Sequence, residues 1–144
     1  MKKRTFYILT MFSLLLVLTA ASVQAQSQRS SINIPFSFNV GQKTLPAGEY
    51  TVEPIRKDSQ NVWLVENKNG RANVLFTTID VWSSKTQEET KLIFNKYDDQ
   101  YFLSQICTAG DNSSRELPVR RWERQLAKNS LQQEKVVVTG RAGE

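Results

Sequence analysis

Ile32-Asn33-Ile34-Pro35-Phe36-Ser37-Phe38-Asn39-Val40 is the stretch that decides the fold class. Its apolar residues alternate with Asn33, Pro35, Ser37 and Asn39, the period-two pattern of a strand with one buried face. Pro35 cannot donate a ladder hydrogen bond, which places this strand at an edge or starts it just after the proline. Gly41 ends the run. Leu45-Pro46-Ala47-Gly48 then suits a type I turn, and Tyr50 and Val52 share one face of the next segment. The two β segments therefore read as a hairpin or as a corner between two sheets.

The same alphabet continues downstream. Val62–Glu66 and Ala72–Ile79 flank Asn67-Lys68-Asn69-Gly70, and Asn-Gly between apolar runs is a strong hairpin signal. Ile79–Trp82 prolongs the second strand. Lys91–Tyr97 and Gln100–Thr108 form another hairpin around Asp98-Asp99, since aspartate tolerates turn geometry. Ala109–Ser114 is a loop by composition. Pro118 suits a first helical turn, and Val119, Trp122 and Leu126 recur at helical spacing, which predicts a short helix over 118–128. Val136-Val137-Val138 reads as a last strand. The fold class is thus all-β: a sandwich or partly open barrel of six to eight strands with one short C-terminal helix.

The N-terminus carries a different pattern. Lys2, Lys3 and Arg4 precede an apolar core from Phe6 to Ala21, and Val23-Gln24-Ala25 supplies the small residues of a cleavage site. Residues 1–25 read as a cleavable secretory signal peptide. A retained span wants about 20 apolar residues, more than this core offers. Gln26 stands where a lipid-anchored protein would need cysteine. The expected layout is a signal peptide, a loose mature N-terminus over 26–31, one β domain over 32–139 and a tail over 140–144. The expected location is secreted or periplasmic.

Export changes the charge balance. The whole chain carries 19 basic and 14 acidic residues, a net charge of +5. Losing Lys2, Lys3 and Arg4 leaves sixteen against fourteen, or +2, too little to argue for nucleic acid. Cys107, the only cysteine, has no internal disulfide partner, and its apolar setting in Tyr101–Cys107 predicts burial. Histidine is absent altogether. That removes Ser-His and Cys-His nucleophiles and imidazole metal sites. No catalytic, cofactor-binding or metal-binding residue is assigned.

Ile34-Pro-Phe-Ser-Phe-Asn-Val-Gly41 followed by Leu45-Pro-Ala-Gly-Glu-Tyr-Thr-Val52 resembles the opening of a group of small exported bacterial β proteins. Tyr101–Ile106 and Arg115-Glu-Leu-Pro118 are similar to that group too, so the resemblance runs from about Ile32 to Lys128. The group has no established activity. The resemblance implies a compact β fold and export, and carries over no catalytic residue.

Two surfaces are candidates for binding. Arg120, Arg121, Arg124 and Lys128 fall within about a 100° arc of the predicted helix, opposite Val119, Trp122 and Leu126. This is either a solvated flank of a docked helix or a basic face for anionic envelope material. Trp63, Trp82, Tyr97 and Tyr101 form an aromatic strip for sugars only if they share an exposed face; otherwise they belong to core and rim. The leading expectation is a non-enzymatic binding or structural module of the envelope or exterior, its partner a polymer or another protein. An exposed apolar edge strand would favour protein partners through strand addition. A carrier of a small apolar ligand would need a cavity among Phe36, Phe38, Phe76, Phe94 and Phe102. A carboxylate hydrolase would need two acids from separate strands converging in a cleft. Asp98-Asp99 and Glu88-Glu89 do not supply that pair, because neighbours on a strand point to opposite faces.

Overall fold

In the computed structural model the opening run is two strands, not one. Residues 29–142 are described, apart from 57, 59 and 60; the expected signal peptide lies outside them. Ser30–Ile34 (β1) ends at Pro35, and Phe38–Val40 (β2) begins three residues later in the other sheet. β1 is an interior strand, paired with Gly48–Pro54 (β4) on one side and Gln133–Ala142 (β11) on the other. Pro35 therefore does not mark an edge. It sits exposed in the break where the chain changes sheets and no ladder donor is needed.

Lys43–Leu45 (β3) pairs with β2, while β4 pairs with β1, so the Leu45–Gly48 turn is a corner between the sheets. Tyr50 Oη donates to Pro46 O at 2.7 Å and braces that corner from inside the core. Val62–Asn67 (β5) and Asn73–Thr77 (β6) form the hairpin expected at Asn-Gly, with Gly70 at φ +67°. Such a left-handed residue costs glycine little. Ile79–Trp82 (β7) continues from β6 but changes sheet at Thr78. Thr90–Tyr97 (β8) and Gln100–Cys107 (β9) form the next hairpin, with Asp98 at φ +50° in its tip.

Ser113–Glu116 (β10) pairs with both β7 and β9, where sequence composition indicated a loop. Its residues are polar, so no apolar period announces it; the buried Arg115 explains how it is held. Arg115 lies 3.2 Å from Asp80 and 3.3 Å from Asp111 and also donates to Ser113 Oγ. A buried guanidinium needs this compensation. The helix α1 covers Arg121–Asn129, not 118–128, with Arg120 as N-cap and Pro118 outside it.

The eleven strands among the described residues exceed the expected six to eight because two runs that read as single strands are cut at sheet changes, and because β3 and β10 carry no apolar alternation. These strands make two sheets that do not close into a barrel, a sandwich-like arrangement with one helix among the described residues. Between them pack Ile32, Ile34, Phe38, Tyr50, Val52, Trp63, Val65, Leu92, Phe94, Leu103 and Ile106, all 4 % exposed or less. The strands reach Ser30 at one end and Ala142 at the other. Ser30 and Ser31 are thus ordered β structure, and residues 140–142 are strand where a tail was expected.

β11 joins the sheets. Gln133–Gly140 pairs with β8, and Arg141 and Ala142 pair with β1. At the changeover, a Cβ on Gly140 would lie 2.1 Å from Ile32 Cγ1 and 3.0 Å from Ser31 O. Ile32 fills the space a side chain would need. Gly140→Ala is expected to cost about 1–3 kcal/mol through overpacking. It should lower the urea midpoint of the chain from Gln26 without changing the slope; an unchanged midpoint would mean that Ile32 yields freely.

Candidate functional site: an open seam between two sheet edges

The hydrogen-bonding groups of β6 are not all used. Thr78 N–H donates to Asn61 O and Asn67 N–H to Ala72 O, so the even-numbered groups of this strand point toward β5. By the antiparallel rule, the N–H and C=O groups of Asn73, Leu75 and Thr77 point the other way. Among the described residues no strand pairs with β6 on that side, and β3 likewise ends its own sheet unpaired. Lys43 Nζ from β3 reaches across to Asn73 O at 2.6 Å.

A small pocket opens in this seam, with a cavity of about 20 Å³, room for one water. Asn39, Phe76, Phe102, Leu117, Arg120 and Glu123 contribute to its lining. Its walls thus come from β2, β6, β9, the turn after β10 and the start of α1. Asn39 is held by its donation to Tyr101 O at 3.1 Å and by accepting from Thr44 Oγ1 at 2.7 Å.

Glu123 is the buried acid of this pocket. It is 7 % exposed, beneath the helix that carries it. As the third residue of α1 it accepts from the backbone N–H of the N-cap Arg120, half of a capping box. Asn95 Nδ2 and Tyr97 Oη approach the same carboxylate at 3.5 Å. Trp122 beside it packs on Phe102 with ring centroids 4.8 Å apart, and its indole nitrogen has no partner among the described residues. Burial pushes the Glu123 carboxyl above its ordinary range, against the opposing pull of those hydrogen bonds. Tyr97 is raised by burial and by the neighbouring carboxylate. The signal for this in the sequence is that Glu123 follows Trp122 and stands three residues before Leu126, about 60° from it around the helix.

Of the basic candidates, Arg121, Arg124 and Lys128 lie on α1, while Arg120 is its extended N-cap and Val119, expected opposite them, is outside the helix and exposed. Arg120, Arg121, Arg124 and Lys128 are all exposed, and no ion pair joins them to a carboxylate among the described residues. The aromatic candidates separate. Trp63 is 2 % and Tyr97 8 % exposed. Tyr101 stacks on Phe36 at 3.9 Å, and Trp82 alone stands out, at 78 % exposed. Four aromatics divided between core, rim and solvent form no sugar-binding strip.

Of the phenylalanines proposed to line a carrier cavity, Phe36 and Phe38 meet Phe94 edge-on at 5.2 and 5.4 Å, while Phe102 meets Trp122 and, with Phe76, lines only the small pocket of about 20 Å³. For hydrolysis, Glu123 is a buried acid, but Asn95 and Tyr97 face it rather than a second carboxylate. Asp80 and Asp111 do converge from separate elements, with the Arg115 guanidinium between them. Asp98 and Asp99 stay at an exposed tip, and Asp111 is engaged by Ser113 and Arg115. Among the described residues no cluster of acids or cysteine could hold a metal ion, and no helix is long and apolar enough to cross a membrane. Comparison with known protein families, with curated proteins and with solved structures finds no match to this chain.

Cys107 is buried at 3 % exposure, and burial pushes its thiol up. It should resist thiol alkylation at neutral pH until the chain is unfolded in urea; rapid labelling of the native chain would contradict that. Glu123 gives a pH prediction. Its folded-state value is raised, so its contribution to stability is complete below the unfolded value of about 4.3. That contribution is lost as pH rises through the folded value. Glu123→Gln keeps the capping geometry but cannot ionise. The variant should gain stability over the parent as pH rises from acid to neutral, read from paired urea midpoints, whereas parallel pH profiles would sink the assignment.

Proposed function

We propose that this protein is an exported, non-enzymatic binding module of the bacterial envelope or exterior that takes an extended polypeptide into the seam. The observation that carries this reading is that β3 and the odd-numbered groups of β6 are left unpaired among the described residues, with Lys43 of one strand reaching Asn73 O of the other. An extended chain laid there satisfies both rows of backbone groups, which is recognition by strand addition. The pocket beside it, lined in part by Phe76, Phe102 and Leu117, has room for one water that could bridge to such a chain. Lys43 on Asn73 O acts as a guard, because an edge left bare invites indiscriminate pairing. Export is supported by the residue pattern of 1–25, and the similar opening motif of small exported bacterial proteins agrees with it. The lack of histidine in the sequence, and the engagement of Asp80 and Asp111 by the buried Arg115, favour binding over turnover.

Leu75 supplies the test. Its N–H points into the seam, away from β5, so Leu75→Pro removes one seam donor and leaves the β5 ladder intact. Peptides selected from a displayed random library on the folded chain should shift the amide resonances of residues 43–45, 75 and 77. Leu75→Pro should weaken them by about tenfold or more while circular dichroism stays unchanged. Peptides that leave those amides unmoved, or that bind the proline variant equally well, would refute the reading.

A further inference from the structure

The β6 edge carries charge as well as a row of backbone groups. Lys43 of β3 ends on the carbonyl of Asn73, the first residue of β6. Arg71 precedes that residue by two. At the other end of the strand, Arg120 lines the pocket together with Phe76 and Thr77. All three cations are exposed, and among the described residues no ion pair joins any of them to a carboxylate. The acceptor that Lys43 does reach is neutral.

The acids nearby do not cancel this charge. Glu123 shares the pocket with Arg120 but is buried, and Asn95 and Tyr97 approach its carboxylate. Asp80, three residues past Thr77, is held by the buried Arg115 at 3.2 Å. Glu116 alternates with the pocket-lining Leu117 and so projects from the other face. The β4–β5 link carries Arg56, Lys57 and Asp58, an excess of one cation in sequence. Glu66 pairs with Asn73 and stands one strand in from the edge. With Glu66 and Glu123 both counted as ionised, two carboxylates meet the three cations Lys43, Arg71 and Arg120.

Strand addition on β6 needs Asn73 O for an incoming N–H, which displaces the Lys43 ammonium. A carboxylate on the incoming chain is a stronger acceptor for that ammonium than the carbonyl it loses. A second carboxylate meets Arg120 at the Thr77 end. Asn73 and Thr77 are four residues apart, about 13 Å along a strand. We infer, resting on the strand-addition reading, that the polypeptide taken by the seam is acidic, with a carboxylate at each end of a segment about that long. A soluble polyanion would satisfy the cations and leave the backbone groups of Leu75 and Thr77 unpaired.

Every described strand, the helix and the core lie between Ser30 and Ala142, so the chain from Gln26 carries the complete described fold. The probe is the capped peptide Thr-Glu-Val-Thr-Val-Glu-Thr, with copies that carry glutamine or lysine at both glutamate positions. The glutamate peptide should bind about fivefold or more tightly than the glutamine copy at low salt, and the gap should narrow as salt rises. Lys43→Glu combined with Arg120→Glu should reverse the order and favour the lysine copy. Both positions are exposed, and unchanged circular dichroism would show that the double variant folds. Leu75→Pro should weaken the glutamate and glutamine peptides alike. Equal binding of those two peptides, with the amides of residues 75 and 77 shifted, would overturn the acidic preference and leave strand addition standing. Glutamate-peptide binding that survives Leu75→Pro would also overturn it and assign the cations to soluble polyanions. A glutamate peptide that moves neither amide would overturn it too, and library-selected peptides then decide strand addition on their own.

Discussion

Ile32 and Gly140 occupy one volume between them, and the joining of the two sheets depends on that contact. β11 pairs with β8 along most of its length and then crosses to β1. At the crossing the backbone of residue 140 comes so close to Ile32 that no Cβ fits. Because Ile32 also belongs to the core, the turn of β11 and the packing between the sheets are set by the same side chain. A strand that serves both sheets needs no separate interface to hold them together.

Other sheet changes follow the same logic with different chemistry. At Pro35 the chain leaves one sheet where a ladder donor is unnecessary, and at Leu45–Gly48 Tyr50 Oη substitutes for backbone pairing. At Thr78 a single strand passes from β5 on one side to β10 on the other. That last change leaves half of each side unpaired, which creates the β6 edge of the seam. The candidate site is thus a consequence of how the sandwich turns its corners.

Arg115 shows why part of the fold stayed hidden. Ser113–Glu116 has no apolar alternation, and its pairing is sustained by a buried guanidinium among Asp80, Asp111 and Ser113. Asp80 is distant in sequence, so nothing local predicts the burial. Glu123 is a similar case. Set among arginines in the sequence, it lies under the helix as cap acceptor and docking group.

Period-two alternation, Asn-Gly and Asp-Asp turns and the late helical spacing determined the β class, most strand positions and the basic helix face. They suffice because each is local: side-chain direction follows from backbone period alone. The same local rules predicted the burial of Cys107. Only the tertiary structure decided which strands share a sheet, that Trp63 and Tyr97 are buried while Trp82 is solvated, and that β3 and β6 end their sheets unpaired among the described residues. Those outcomes depend on contacts between residues far apart in the chain, such as Lys43 with Asn73 and Ile32 with Gly140. A one-residue change of register or sheet reverses which face is buried, and no single segment carries that information.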